Sequence, residues 1–397
     1  MIERIDLFMP PKNRYLVLHV FTRHLAEALG RLGVRCRILE AEDKSPQEFI
    51  DAIFSDPPDC TLSFNGLLPD SEGNFFCDAI QIPHIACIVD APYHFLSLTH
   101  SPLTIITTPD RFTSDFFQGI NDYRNVLFMP HAGDRSTYIP VETTEFEHRP
   151  IDMLLLASFI DYEEIRKAWH KQYSPGICQA LEEAAEVSLE NKEMPYVNAL
   201  AHALNKYARI TGFDPTQLDF VSILDQLKDY INGKDRVALI KALEDANVHV
   251  YGTGSQHWPK YLKRKPNVFY HGPISYEHAL SLMRQAKILL NSSPATKNGA
   301  HERIFSGILS GAAVITNDNL YMHENFKNQE SILFYNYRKW NQINHLAKEY
   351  LENEGKRKEL VHKAQQIVLE GHTWDYRAAA LISELTPILH RLSQHSL

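Results

Sequence analysis

Short apolar runs alternate along the first third of the chain with longer stretches whose apolar positions recur every three or four residues. The first kind of pattern predicts buried strands and the second predicts helices packed on a sheet. Residues 2–8 read as a strand, 15–32 as a helix ended by Gly33, 34–39 as a strand, 46–54 as a helix and 60–64 as a third strand. Further strands are expected at 83–90, 103–107 and 125–129, with a helix at 111–119. Strands separated by helices are the grammar of a parallel sheet. Open sheets of that kind hold ligands at the carboxyl ends of their strands. That rule selects Asn65, Asp90, His94 and His131 as candidate functional residues.

A second series opens with a strand at 151–157 and is then interrupted by a helical stretch, 162–232, rich in Ala, Leu, Glu and Lys. The interruption is about 70 residues long, more than a compact connection between strand and helix requires, so it reads as an inserted helical subdomain. The alternation resumes with a helix at 236–246 and strands at 248–251, 268–270, 287–291 and 312–316. Helices are expected at 276–286, with Ser275 as its cap, and at 302–309. Three more helices close the chain, at 338–354, at 356–370 and after Trp374-Asp-Tyr-Arg377. Two doubly wound α/β sheets joined near residue 145 are the architecture this order predicts.

The length of 397 residues agrees with two domains rather than one core. Hydrophobic residues at 44% and charged residues at 22% are the composition of a globular chain. The 40 basic and 49 acidic side chains leave a net charge of −9 with no long basic block, so no nucleic-acid partner is expected. The run from Lys260 to Lys265 reads as a solvated helix end. Five cysteines, scattered and without a C-x-x-C pair, read as reduced and mostly buried thiols of a cytoplasmic protein. No apolar run reaches the roughly 20 residues of a membrane span.

The densest chemical signal runs from Asn291 to Asp318: a buried strand, a polar loop with Gly299, then a helix carrying Gly307, Ser310 and Gly311. Such a loop sets backbone amides and a helix N-terminus against phosphate oxygens, and Lys297 and Arg303 add positive charge. Glu302 is placed to accept hydrogen bonds from ribose or sugar hydroxyls. The glycine spacing is neither a P-loop nor G-x-G-x-x-G, and Gly252-Thr-Gly254 reads equally well as a tight strand-to-helix turn. His301-Glu302 lacks the second histidine of H-E-x-x-H, and no G-x-S-x-G occurs, which disfavours zinc and serine hydrolases.

The stretches Gly272-Pro-Ile-Ser-Tyr-Glu277 to Asn291 and His301-Glu-Arg-Ile-Phe-Ser-Gly to Thr316 resemble the donor domain of a GT-B glycosyltransferase. With His372-Thr-Trp-Asp-Tyr-Arg377 they resemble the CgeB-like, spore-maturation-protein branch. The resemblance spans residues 236–390; Val89-Asp-Ala-Pro92 and Met129-Pro-His-Ala-Gly-Asp134 support it in the first half. It implies two Rossmann-like domains facing a cleft: an acceptor domain over 1–145 and a donor domain over 146–375 that includes the insertion. A last helix, 376–397, would cross back to the first domain. It implies transfer of a sugar from a nucleotide diphosphate donor, with no permanently bound cofactor and no metal. By the resemblance, Gly299 and Ser306 stand at the two glutamate positions of an E-x7-E pattern, and Glu302 takes over the ribose.

Donor binding is thus expected at Gly252, Gly254, Tyr270, Lys297, Gly299, Ala300, His301, Glu302 and Arg303, with Tyr251 and Tyr276 as further base-stacking candidates. If the reaction inverts, Asp90 is the candidate base for an acceptor hydroxyl; His94 or His131 would instead contact acceptor or leaving phosphate. These tyrosines, so close to strands, read more simply as core, and Trp374 and Arg377 as packing with a surface salt bridge. Two alternatives stand beside the transferase: a nucleotide-sugar epimerase, and a non-catalytic nucleotide- or sugar-binding module using the insertion for a protein partner.

Overall fold

In a computed structural model the described residues are 2–11, 16–40, 46–143, 148–263 and 265–395. Tyr15, Arg264 and the junction expected near 145 lie outside them. The chain divides into two compact units, residues 1–135 with 371–397, and residues 136–370.

The first unit is one parallel sheet of β1 (Arg4–Phe8), β2 (Arg35–Leu39), β3 (Cys60–Phe64), β4 (His84–Cys87), β5 (Thr104–Thr108) and β6 (Val126–Phe128). Its strand order is β2-β1-β3-β4-β5-β6. β3, β4 and β5 are buried on both faces, which is why they read as continuous apolar or Thr-rich runs. Gly33 ends the first helix, Val17–Arg31, at φ +87°, a conformation that glycine adopts at little cost. A short helix, Phe76–Ile80, is absent from the sequence reading. The last helix, Trp374–His395, starts at Trp374 rather than after Arg377 and packs on Val17–Arg31. Trp374 is buried, its ring 5.3 Å from that of Phe21. Arg377 is buried as well, rather than on the surface as expected. Its guanidinium donates to the carbonyls of Pro130 at 2.7 Å, His131 at 3.1 Å and Gly371 at 2.9 Å.

Two buried histidines make this unit acid-sensitive. His84 sits between the Thr61 and Ser63 hydroxyls, and burial pushes its pKa down to about 3. His372 is pushed to about 3 by burial and then by the charge of Arg377. Both rings stay neutral when folded but take protons near pH 6.5 when unfolded. Stability from this source is complete above that pH and falls as pH drops from about 6.5 toward 3. Chemical denaturation across that range should show the decline, with a shallower slope for His84→Gln; a flat profile would contradict it.

The second unit holds β7 (Ile151–Leu156), β8 (Val248–Tyr251), β9 (Val268–His271), β10 (Ala286–Asn291), β11 (Ala313–Asn317) and β12 (Leu333–Tyr335). All pairs are parallel, in the order β12-β11-β10-β7-β8-β9. This is the dinucleotide-fold order with its reversal between β7 and β10. The insertion comprises Tyr162–Gln172, Pro175–Glu190 and Tyr196–Thr211, followed by Phe220–Ala242. That last helix corrects the expected start at 236: one continuous helix leaves the insertion and becomes the crossover into β8. Gly233 marks where it meets the sheet, since a Cβ there would lie 2.9 Å from the Ile160 carbonyl oxygen. Ser275 caps Tyr276–Gln285 through a bond from the His278 amide. In the Lys260–Lys265 run, Lys260 pairs with Asp161 at 2.8 Å and Lys265 caps the carbonyls of Lys241 and Leu243, so these two cations serve the fold.

All five cysteines are free, and four are buried. Burial pushes the Cys36, Cys60, Cys77 and Cys87 thiols up, as expected of inert thiols. No helix among the described residues is long and apolar enough to cross a membrane.

Candidate functional site

In the second unit the crossovers leave β7 and β10 toward opposite faces, opening the sheet at the carboxyl ends of these two strands. Three pieces of chain meet there: residues 156–158 after β7, the loop 292–301 after β10, and the helix Glu302–Leu309. The helix lies close on its strand, because Gly307 has no side chain; a Cβ would stand 2.4 Å from Leu289 Cδ2. Its N-terminal end is thereby held at the strand ends, with His301 as the capping residue.

Two arginines converge on this point. Arg303 donates through Nη1 to the Leu156 carbonyl at 2.5 Å and through Nη2 to His301 Nε2 at 3.0 Å. Arg236, from the crossover helix, donates through Nη1 to the Ser158 carbonyl at 2.8 Å. Its Nε is buried without a partner among the described residues. Burial, and then the charge of Arg303, push the Arg236 pKa down to about 10, while burial also lowers that of Arg303. Like charges held together against carbonyl oxygens make a receptor for an anion, since a second negative group relieves both their repulsion and their lost hydration. Glu302 contacts His301 Nδ1. The neutral ring that serves both neighbours carries its proton on Nδ1 and accepts from Arg303 on Nε2; burial, then Arg303, hold its pKa low.

Lys297 goes elsewhere. It is 4% exposed, and its ammonium group donates to the Ser188 carbonyl near the end of helix Pro175–Glu190. The same helix end is fastened by Glu190 to Arg338, by Lys192 to Asp318 at 3.8 Å, and by Glu186 to Lys234. Beside this seam Asp235 is fully buried and accepts from Ser292 Oγ and Tyr335 Oη, each at 2.6 Å; burial pushes its carboxyl up. A cavity of about 30 Å³ lies between them, lined by Glu190, Lys192, Asp235, Lys297, Asn317 and Tyr337.

Other expected donor residues lie within the packing of the second unit. Gly252 lets the turn after β8 touch the one after β7: a Cβ there would lie 2.2 Å from the Ala157 carbonyl oxygen. Gly254 has φ +69° and packs on Phe159. Tyr270 faces the core on the side of Val250 and Val268, and Tyr276 is buried with its hydroxyl 3.4 Å from Ser306 Oγ. Tyr251 is half-buried and stacks on His271 at 4.2 Å. Ala300 is buried, and the Gly299 carbonyl accepts from Asn319 at 3.0 Å. Only six residues separate Gly299 from Ser306, so this pair does not hold an E-x7-E spacing.

In the first unit Asp90 is exposed at the end of β4 and accepts from Asn65 Nδ2 at 2.7 Å. His94 lies in the turn Pro92–His94, 4.9 Å from the Tyr93 ring. His131 lies 5.7 Å from the Phe21 ring, with its carbonyl taken by Arg377.

Arg236 and Asp235 escaped the sequence reading. The available signal was Gly233-Lys-Asp-Arg236, a glycine and three charges in an otherwise amphipathic helix, which marks the level where that helix reaches the strand ends.

A family model described as glycosyl transferase-like matches residues 236–383, beginning at Arg236 and leaving out the insertion and most of the first unit. No curated protein matches the chain by sequence. Among solved structures, sucrose-phosphate synthase from Thermosynechococcus elongatus is similar with a TM-score of 0.58 at 9% identity, over 98% of this chain and 100% of that one. Anabaena HepE, solved with UDP and glucose, gives 0.53 at 9% identity over 98% and 100%. AviGT4, a glycosyltransferase involved in avilamycin A biosynthesis, gives 0.53 at 12% identity over 98% of each chain. The likeness establishes the fold: two parallel, helix-flanked Rossmann-like sheets, the GT-B class.

Proposed function

We propose that this protein is a GT-B glycosyltransferase that moves a sugar from a nucleotide diphosphate donor to a hydroxyl of a protein, glycan or small molecule. The observation that carries the reading is the pair Arg236 and Arg303, braced on the Ser158 and Leu156 carbonyl oxygens at the point where the strand order reverses. The matched family model and the UDP bound in the structurally similar HepE support it. The arginines and the N-terminal amides of helix Glu302–Leu309 bind the diphosphate and stabilise it as it departs, without calling on a metal. Glu302 accepts from donor hydroxyls, and Lys297 braces the donor loop against the insertion.

In an inverting transfer, the acceptor oxygen bonds to the anomeric carbon while the bond from that carbon to the diphosphate breaks. The bonding pair leaves on the phosphate, and Asp90 receives the acceptor's proton. The first unit, residues 1–135 with the final helix, supplies the acceptor side. We place the chain in the CgeB-like branch on its His301–Thr316 and His372–Arg377 stretches, and in the cytoplasm on its thiols. A protein partner would find exposed apolar side chains on the insertion at Ile210 and Phe220. The reading is tested by nucleoside diphosphate release that depends on an acceptor.

A further inference from the structure

We infer that Asn65 is a positioning residue that aims the carboxylate of Asp90 at the acceptor hydroxyl; this rests on the transferase reading above. β3 and β4 are parallel neighbours, and Asn65 follows the first as Asp90 follows the second. The Asn65 backbone is left-handed, with φ +63°, a conformation that asparagine visits more readily than other residues with a side chain. The side chain makes three bonds to Val89 and Asp90. Oδ1 accepts from the amides of Val89 at 3.0 Å and Asp90 at 3.3 Å, and Nδ2 donates to Asp90 Oδ2 at 2.7 Å. The Asn65 amide is itself fixed on the Cys87 carbonyl at 2.8 Å.

Gly66 continues the left-handed turn at φ +72°, and a Cβ there would stand 2.8 Å from that of Ala86. The loop is thus pressed onto β4 and has little freedom to swing. Asn65 grips both the backbone and one oxygen of Asp90, so the carboxylate cannot rotate about its χ angles without losing a bond. Its other oxygen, Oδ1, takes no hydrogen bond among the described residues, and the side chain is exposed. A carboxylate fixed on one oxygen and open on the other is oriented to accept a hydrogen.

The test uses the full chain, a panel of UDP-, GDP- and dTDP-linked sugars as donors and a panel of aryl glycosides as acceptors, following nucleoside diphosphate release. The wild type comes first: no acceptor-dependent release on any pair would sink the transferase reading, and this proposal with it. On the best pair, Asn65→Gly keeps the left-handed backbone and removes the amide. It should lower kcat about tenfold or more, with donor KM and melting temperature unchanged, and Asp90→Asn should lower kcat further. Wild-type kcat in Asn65→Gly, full activity in Asp90→Asn, or a loss confined to donor KM would each overturn the role of Asn65 while leaving the transferase reading intact.

Discussion

Replacing Arg236 or Arg303 by alanine should weaken UDP binding by about 10- to 100-fold each, and replacing both should bring it near the limit of detection. A hydrogen bond between charged partners contributes about 1.5–3 kcal/mol, and each 1.4 kcal/mol is a factor of ten in affinity. The two guanidinium groups are held beside each other by backbone carbonyls, at Ser158 for Arg236 and Leu156 for Arg303. In the free protein burial, and then the charge of Arg303, hold the Arg236 pKa down, and a bound diphosphate relieves the repulsion. Arg303 also satisfies the Leu156 carbonyl, so its alanine variant loses some stability. Arg303→Lys keeps the charge and separates the two effects: it should melt closer to the wild type yet still bind UDP several-fold more weakly, since lysine lacks the planar fork. Calorimetric titration decides the matter. Dissociation constants within twofold of the wild type for both alanine variants would remove the arginines from the donor site.

The second large effect is on the fold that carries those arginines. Gly252→Ala would set a methyl 2.2 Å from the Ala157 carbonyl oxygen, 2.5 Å from its carbon and 2.7 Å from the Ser158 nitrogen. All three are backbone atoms, so no rotamer change gives way. The turn after β7 must move, and with it the Ser158 carbonyl that holds Arg236. The cost should be about 3 kcal/mol, equivalent to a fall of about 10 °C in melting temperature for a unit of this size, with weaker UDP binding besides. Gly254→Asn provides the contrast: its left-handed φ suits asparagine and its nearest neighbour, Phe159 Cβ, is 3.1 Å away, so a loss below about 1 kcal/mol is expected. Equal melting temperatures for Gly252→Ala and the wild type would show that the two turns are not packed as described.

The layout of both sheets was legible because buried parallel strands announce themselves twice: β3, β5, β7 and β10 are near-continuous apolar or Thr-rich runs, and the intervening helices carry their own period. The insertion was legible as surplus length. Its last boundary was not, because Phe220–Ala242 changes partners without changing pattern: its first turns belong to the helical subdomain and its last to the sheet. That one misplaced boundary hid Arg236, since a residue at an assumed helix start carries no hint that it lies level with strand ends. His301, Glu302 and Arg303 are legible as one cluster because a capped helix follows directly on a buried strand. Lys297, on the same loop, was assigned to phosphate by charge alone. Its bond to Ser188, 109 positions earlier, has no local signature. Gly252 shows the converse: a glycine that suggests a phosphate loop by spacing is required here by backbone approach.

The measurement that bears most directly on the whole account is nucleoside diphosphate release by the wild-type chain from a panel of nucleotide sugars, with and without candidate acceptors. The account expects at least one donor to release its diphosphate only when an acceptor is present, with the sugar recovered on that acceptor. Release or rearrangement of the sugar without any acceptor would favour an epimerase, and tight UDP binding with no turnover across the panel would leave a binding module; either result contradicts a glycosyltransferase.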